Sequence, residues 1–422
     1  MQKYQYSNIY ISNNQIEFKE PSILKFFRAE LKTLRIGLLH TFFSGFGQTF
    51  FLSLFSGYII TEYSLSRTGY GGLYSIATLG SAFLLPIPGA WIDKFNLRQF
   101  SGVTGILITF ACILFAWSPN LWVLGFSLFL LRFSGQGLMS HIASTTMSRH
   151  YGSNRGKALS IVNLGYPLSE ALLPILAVLI IQYYLEWRIA PAAMSILGLL
   201  VFIPLSQIWI TKDSEIDIPP LKKKSYHPLA NQWTRSDVIK HPLIYFLIPI
   251  FTIPPFLITG FLIQQSAFDQ FGQWDINDFS MAVFLFAIFR ATGSIGSGPL
   301  LDNLGATKLI YLYTLPILTG IGLTSLGLSP FYLFALAGIT AGAGGSIKTS
   351  LLNEIFGSTH LGAIRSVVSS FMAISTGISP LLFGSLLDHG HSMQAVLNGS
   401  IAANLISIIL LSIGLKGFID KK

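Results

Sequence analysis

The chain has 422 residues, of which 51% are hydrophobic and only 11% charged, with a formal net charge of +9. Soluble globular chains carry roughly 25% charged residues, so a water-soluble enzyme and a disordered chain are both excluded. The single cysteine, Cys112, excludes a disulfide framework or a thiolate metal cluster.

Residues 1–35 read as a polar cytoplasmic segment, without the small-residue cleavage site of a signal peptide. Within it, Lys25, Arg28, Lys32 and Arg35 step by three, four and three, with Ile23, Phe26, Phe27, Leu31 and Leu34 between them. That spacing predicts an amphipathic helix on the membrane surface, the alternative being a basic extension of the first span. Twelve apolar stretches of about 20 residues or more follow: 36–60, 70–91, 99–118, 121–145, 157–183 and 189–210, then 243–267, 279–301, 307–327, 330–352, 362–387 and 393–415. Hydrocarbon offers no water to backbone groups, so each is helical. The fold class is an all-α membrane protein, with helical bundles at 36–210 and 243–415. A cytoplasmic linker at 211–242 contains Lys222, Lys223 and Lys224, and a cytoplasmic tail follows at 416–422.

With the N-terminus inside, Lys94, Arg98, Arg149, Arg155, Lys157, Lys240, Lys308 and Arg365 fall in cytoplasmic loops, while the opposite loops hold Arg67 and Arg188. This is the positive-inside bias, and it places both termini in the cytoplasm. Charge spread over many short loops does not make a nucleic-acid surface. Phosphate-binding glycine loops and His-Glu-x-x-His patterns are absent from the sequence, so no cofactor, metal or enzymatic activity is expected.

An internal repeat organises the chain. Gly89-Ala-Trp-Ile-Asp93-Lys94, with Arg98 after it, recurs 209 positions later as Gly298-Pro-Leu-Leu-Asp302, with Lys308 after it. Gly156, Ser160 and Pro174 recur as Gly362, Ser366 and Pro380. Two parallel halves place cargo between them near mid-membrane.

On these motifs, and on Arg132-Phe-Ser-Gly135-Gln-Gly137 in the fourth span, the sequence resembles the major facilitator superfamily over nearly its whole length. The resemblance implies two pseudo-symmetric six-helix bundles. It also implies a conformational latch at Gly89, Asp93, Arg98, Gly298, Asp302 and Lys308. Asp93 would close on the start of the eleventh span near Gly362, or on Arg149 or Arg155, and Asp302 would close near Gly156. The eighth-span Arg290 resembles the monocarboxylate-transporter branch, which usually has an Asp four residues earlier; Phe286 stands there in this chain. An arginine in the fourth-span motif is linked to proton coupling in several exporters of the family. Asn163-Leu-Gly165-Tyr-Pro167 departs from those exporters' fifth-span motif.

Three ionisable side chains fall about eleven to thirteen residues into their spans, roughly 16–20 Å deep at 1.5 Å per residue: Arg132, Glu170 and Arg290. Each costs about 2.5–3.5 kcal/mol at the bilayer centre, which marks it as a functional candidate. Arg132 and Glu170 are expected to pair, either as a structural tie between two helices or so that protonation of Glu170 releases Arg132 to bind an anionic cargo. Arg290, without an acid one turn away, is expected to hold a carboxylate in its planar fork, and Glu170 to carry a proton. Gln48, Asn163, Gln264 and Gln265 are further candidate cargo contacts, although an amide within a span is as often glue between helices. His40 is expected to be solvated at a span end, and Lys348 to snorkel to the surface.

The expected function is secondary active transport of a small organic anion, a carboxylate, across a bacterial inner membrane by a monomer, coupled to protons. Two alternatives stay open: an exporter of amphipathic metabolites, drugs or a siderophore, and a non-transporting membrane sensor or scaffold.

Overall fold

The computed structural model describes residues 8–12, 15–19, 23–89, 92, 96–151, 155–210, 233–272, 274–357 and 360–419. Ten of the helices in these residues are long and apolar enough to cross a membrane as they stand. Two further spans complete twelve. The first is interrupted, running Ile23–Phe43, a one-turn helix at Ser44–Gly47, Thr49–Leu52 and Ser56–Glu62. The tenth is Phe331–Phe356, which contains Lys348 and, between Ala337 and Gly345, seven glycines and alanines; Gly338 and Gly342 among them press against the eighth. Ile76, Phe83, Trp122 and Ile295 are 70% exposed or more. So much bare apolar surface belongs in lipid.

The remaining spans follow in order. The second is Arg67–Leu84, the third Leu97–Trp117. The fourth comprises Leu121–Leu131, a wider-pitched stretch at Arg132–Met139, and Ser140–Tyr151. The fifth comprises Arg155–Val162 and Gly165–Tyr184, and the sixth runs from Ile189 to Trp209. The seventh is Pro242–Ile263, the eighth Ile276–Leu304. The ninth comprises Ala306–Leu312 and Leu315–Ser325, the eleventh is Leu361–Asp388 and the twelfth Met393–Ile419. Ile23 and Ile419 lie at one end of the bundle, here the near end; the loops holding Arg67 and Asp388 lie at the far end.

Ahead of the first span, Asn8–Ser12 and Gln15–Lys19 pair as an antiparallel hairpin. Ile23–Phe43 is one continuous helix. The basic stripe therefore extends the first span and does not form a separate surface helix. Arg35 stacks 4.6 Å over the Trp209 ring, which ties that extension to the sixth span. The latter part of the linker packs on the second half: Trp233 donates its amide to Phe356 O (3.2 Å), and Arg235–Lys240 forms a short helix. Residues 211–232 lie outside the described residues.

The second span runs along the eleventh and the fifth along the eighth, and these pairings join the two halves. Within the second half the eighth and tenth spans pack most extensively. A β-carbon at Gly342 would collide with the carbonyl of Arg290, and one at Gly338 with that of Phe286. Glycine at these positions lets the tenth span press on the backbone that carries Arg290.

Candidate functional site

The three mid-membrane charges sort differently from the sequence expectation. Arg290 Nη1 donates to Glu170 Oε1, an ion pair that crosses from the eighth span to the fifth and thus from one half to the other. The Glu170 side chain is 5% exposed and that of Arg290 31%. Glu170 Oε2 is buried without a hydrogen-bond partner. The Arg290 guanidinium lies 5.8 Å from the Tyr166 ring centroid, a cation–π distance. Pro174 has no N–H to bond the Glu170 carbonyl four residues back, so the fifth span is locally weakened where it presents the carboxylate.

Arg132 does not pair with Glu170. It is fully buried, and its guanidinium donates to Gly47 O (3.0 Å), Thr78 Oγ1 (3.1 Å) and Thr49 Oγ1 (3.4 Å), while lying 5.1 Å over the Tyr74 ring. The reason is the interrupted first span. Gln48 is extended (ψ 155°), so the Gly47 carbonyl has no helical donor. A buried orphan carbonyl costs about 1–3 kcal/mol, and Arg132 satisfies it. The break also brings Gly47 against Gly135, where a side chain on either would collide with the other helix. Arg132 therefore braces the first, second and fourth spans.

The four amides separate likewise. Gln264 Nε2 donates to Arg67 O (3.3 Å) and Pro380 O (3.2 Å), and Gln265 Oε1 accepts from Trp274 Nε1 (3.3 Å). Both lie at the far end, where these bonds serve packing, and Gln264 Oε1 is buried without a partner among the described residues. Gln48 sits at the first-span break and Asn163 at the fifth-span break, half-buried and exposed respectively.

The far end is closed by contacts that the sequence did not single out. Asp388, ending the eleventh span, accepts from the backbone amides of Arg67 (3.2 Å) and Thr68 (2.7 Å) at the start of the second. A carboxylate on a helix N-terminus is favourable twice over, through the free amides and the helix dipole. Arg67 Nη1 donates to Ser266 Oγ (2.9 Å), and Gln182 Nε2 to Asn277 Oδ1 (2.6 Å). Gly71 and Gly384 let the second and eleventh spans meet backbone to backbone. An acid at a span end, followed by His389-Gly390, was the available signal.

At the near end, Asp93 and Lys94 of the expected latch lie outside the described residues. Gly89 ends a short helix, Pro86–Gly89. Arg98 Nε donates to Gln207 Oε1 (3.2 Å), within its own half. Gly298 faces open space, and Asp302 is exposed without an ion pair among the described residues. Lys308 is likewise exposed. The halves are thus held together at the far end by contacts that cross between them.

Two other expectations are corrected. Lys348 does not snorkel: Nζ donates to Phe251 O (2.9 Å) and sits 5.5 Å from the Tyr313 ring centroid. Tyr313 Oη donates to Ile250 O (2.7 Å). Pro254 and Pro255 deprive exactly these two carbonyls, four residues earlier, of their helical donors. His40 is buried, with Nδ1 2.7 Å from Ile36 O and Nε2 2.8 Å from Ser101 Oγ.

A family profile described as Major Facilitator Superfamily matches residues 37–274, more than half of the chain. Among solved structures, a bacterial homologue of the human lysosomal transporter Spinster, inward-facing and unoccupied, aligns at a TM-score of 0.63 and 14% identity. That alignment covers 94% of this chain and 96% of the other. The nucleoside transporter NupG aligns at 0.66 and 12% identity, covering 92% and 98%. No curated protein sequence matches significantly.

Proposed function

The chain belongs to the major facilitator superfamily, and from that premise we propose that it carries a small organic anion, a carboxylate, together with a proton, by alternating access. Its site is the Arg290–Glu170 pair. The positive-inside bias makes the near end cytoplasmic, which puts both termini on the cytoplasmic side of a bacterial inner membrane and makes the closed far end the outward-facing one. All the groups involved come from one chain, and a monomer suffices.

One observation carries this reading: a buried ion pair spans the two halves and leaves Glu170 Oε2 unpartnered and most of the Arg290 fork free. Charge bookkeeping gives the mechanism. The empty pair is neutral. A proton on Glu170 alone would leave Arg290 an uncompensated cation, and an anion on Arg290 alone would add uncompensated negative charge. Each costs several kcal/mol in a low-dielectric interior. Proton and anion together restore neutrality, with the cargo carboxylate taking the Arg290 donors that protonated Glu170 gives up. Tyr166 supplies an aromatic wall beside the guanidinium. Arg132, spent on Gly47, Thr49 and Thr78, is a brace and not a cargo ligand.

The test is uptake into proteoliposomes of a panel of labelled mono- and dicarboxylates, with nucleosides as comparison cargo. Wild type is expected to concentrate a carboxylate when the side it is taken from is made acidic. Glu170→Gln is expected to exchange cargo without responding to the pH gradient. Arg290→Gln should lose both activities by more than a hundredfold, the order expected for a buried charge-assisted contact of about 3 kcal/mol. Carboxylate uptake by Arg290→Gln at the wild-type rate would overturn the assignment.

A further inference from the structure

Off the seam between the halves, at the near end, the eighth, ninth and twelfth spans line an open, surface-facing cavity of about 620 Å³. That lies within the roughly 300–1,000 Å³ of small-ligand sites. Its lining divides by chemistry. Leu304, Leu312 and Leu415 form an apolar wall, Lys308 and Lys416 contribute two ammonium groups, and Tyr311 a phenol. Leu304 and Leu312 are 40% and 47% exposed, so the cavity is reached from the surface that faces lipid.

Both lysines are exposed, and neither forms an ion pair among the described residues. Among the described residues, the nearby acids are accounted for. Glu354 is committed to the start of the ninth span, accepting from Ala306 N (2.8 Å), Thr307 N (3.1 Å) and Thr307 Oγ1 (2.9 Å). Asp302 pairs with neither lysine. Two cations with no ion-pair partner among the described residues therefore stand beside an apolar wall at the end of the membrane-spanning region.

We propose that this cavity binds an anionic phospholipid of the phosphatidylglycerol or cardiolipin class. The headgroup phosphate sits between Lys308 and Lys416, and the first acyl carbons lie on the three leucines. Basic pockets between spans at the cytoplasmic surface attract such headgroups, and the aliphatic stems of lysine extend the apolar surface beneath them. A free anion would gain nothing from the leucines, and a neutral lipid nothing from the ammonium groups. The Lys308 position of the sequence repeat thus takes a role distinct from latching the halves.

The test uses the purified full-length protein in phosphatidylcholine nanodiscs, titrated with dioleoyl phosphatidylglycerol and followed by thermal unfolding and by lipid retention in native mass spectrometry. Phosphatidylglycerol is expected to bind wild type roughly thirtyfold better than phosphatidylcholine, from the surface attraction of two lysines. Lys308→Gln/Lys416→Gln should lose that preference, and Lys240→Gln, at the same end but outside the cavity, should keep it. The proposal is overturned if the double variant retains the preference, or if Lys240→Gln loses it equally, which would mean diffuse surface charge. Stabilisation by inorganic phosphate or glycerol phosphate equal to that by the lipid would also overturn it, since the leucines would then contribute nothing.

Discussion

Asp388→Asn should shift the balance between the two faces of the transporter. The carboxylate accepts from the Arg67 and Thr68 amides, bridging the eleventh span to the N-terminus of the second across the seam. Asparagine keeps one acceptor oxygen, loses the second and loses the charge that the helix terminus favours. Hydrogen bonds to a charged group contribute about 1.5–3 kcal/mol, and capping substitutions cost about 0.5–2 kcal/mol. Asp388 is exposed, which screens the charge, so the lower part of those ranges applies. A loss of about 1–2 kcal/mol is a fivefold to thirtyfold shift toward opening of the far end. Spin labels at Thr61→Cys and Gln270→Cys, exposed far-end positions in opposite halves, would read it as a longer-distance population in pulsed dipolar spectroscopy. The native Cys112 is buried and does not compete for label. A distance distribution in Asp388→Asn identical to that of the otherwise unsubstituted labelled protein, at equal thermal stability, would show that this contact does not hold the far end shut.

Lys348→Met should lower the melting temperature of the purified protein, because it strands the Phe251 carbonyl, at about 1–3 kcal/mol. Tyr313→Phe should do the same through Ile250. Lys240→Gln, on the surface, should leave it unchanged; an equal effect at all three would refute the orphan-carbonyl account. Asp275 caps the eighth span, with Oδ1 accepting from Asn277 N (2.7 Å) and Asp278 N (2.9 Å). The Asp278 amide bond, first among the causes, holds its carboxyl below the ordinary aspartate range. A depressed folded-state value means the contribution is present above the unfolded-state value, about pH 3.9, and is lost as the pH falls through the lower folded-state value. Thermal unfolding from pH 7 down to pH 3 should show Asp275→Ala less stable at neutral pH and converging with wild type in acid. Parallel curves across that range would contradict the capping role.

The spans were legible because each is an apolar run of bilayer length, and nothing but helix satisfies the backbone there. The same logic singled out Arg132, Glu170 and Arg290 as mid-membrane charges. What sequence could not supply was azimuth. Depth along a helix follows from counting residues, whereas partners depend on which way each helix is turned. Arg132 and Glu170 share a depth on consecutive spans, yet Arg132 turns toward the broken first span and Glu170 toward the other half. That break was hidden because Ser44, Gly45, Phe46 and Gly47 remain apolar enough to continue a hydropathy run. A better signal went unused at Pro254-Pro255, where adjacent prolines guarantee two unbonded carbonyls. Lys348 and Tyr313 are their answer, which is why a lysine near a span end turned inward instead of snorkelling.

The placement of the pair and the seam on the same helices bears on proton leak in the proposed mechanism. The fifth and eighth spans carry Glu170 and Arg290, and the bond between those side chains itself joins the halves. Rearrangement needs that bond exchanged for something of equal charge. A proton alone cannot do this, because it breaks the bond and leaves an unmatched guanidinium, raising the energy of any state on the path. Proton plus anion can, because the cargo replaces the carboxylate at Arg290. A ligand shifts such an equilibrium only by its differential affinity for the two states, and the far-end contacts of Asp388 set how much is required. If they hold about 1–2 kcal/mol, cargo must favour the rearranged state at least fivefold to thirtyfold to open it. Weakening Asp388 should therefore let cargo drive opening at lower occupancy, while neutralising Glu170 removes the charge condition that makes cargo and proton move together.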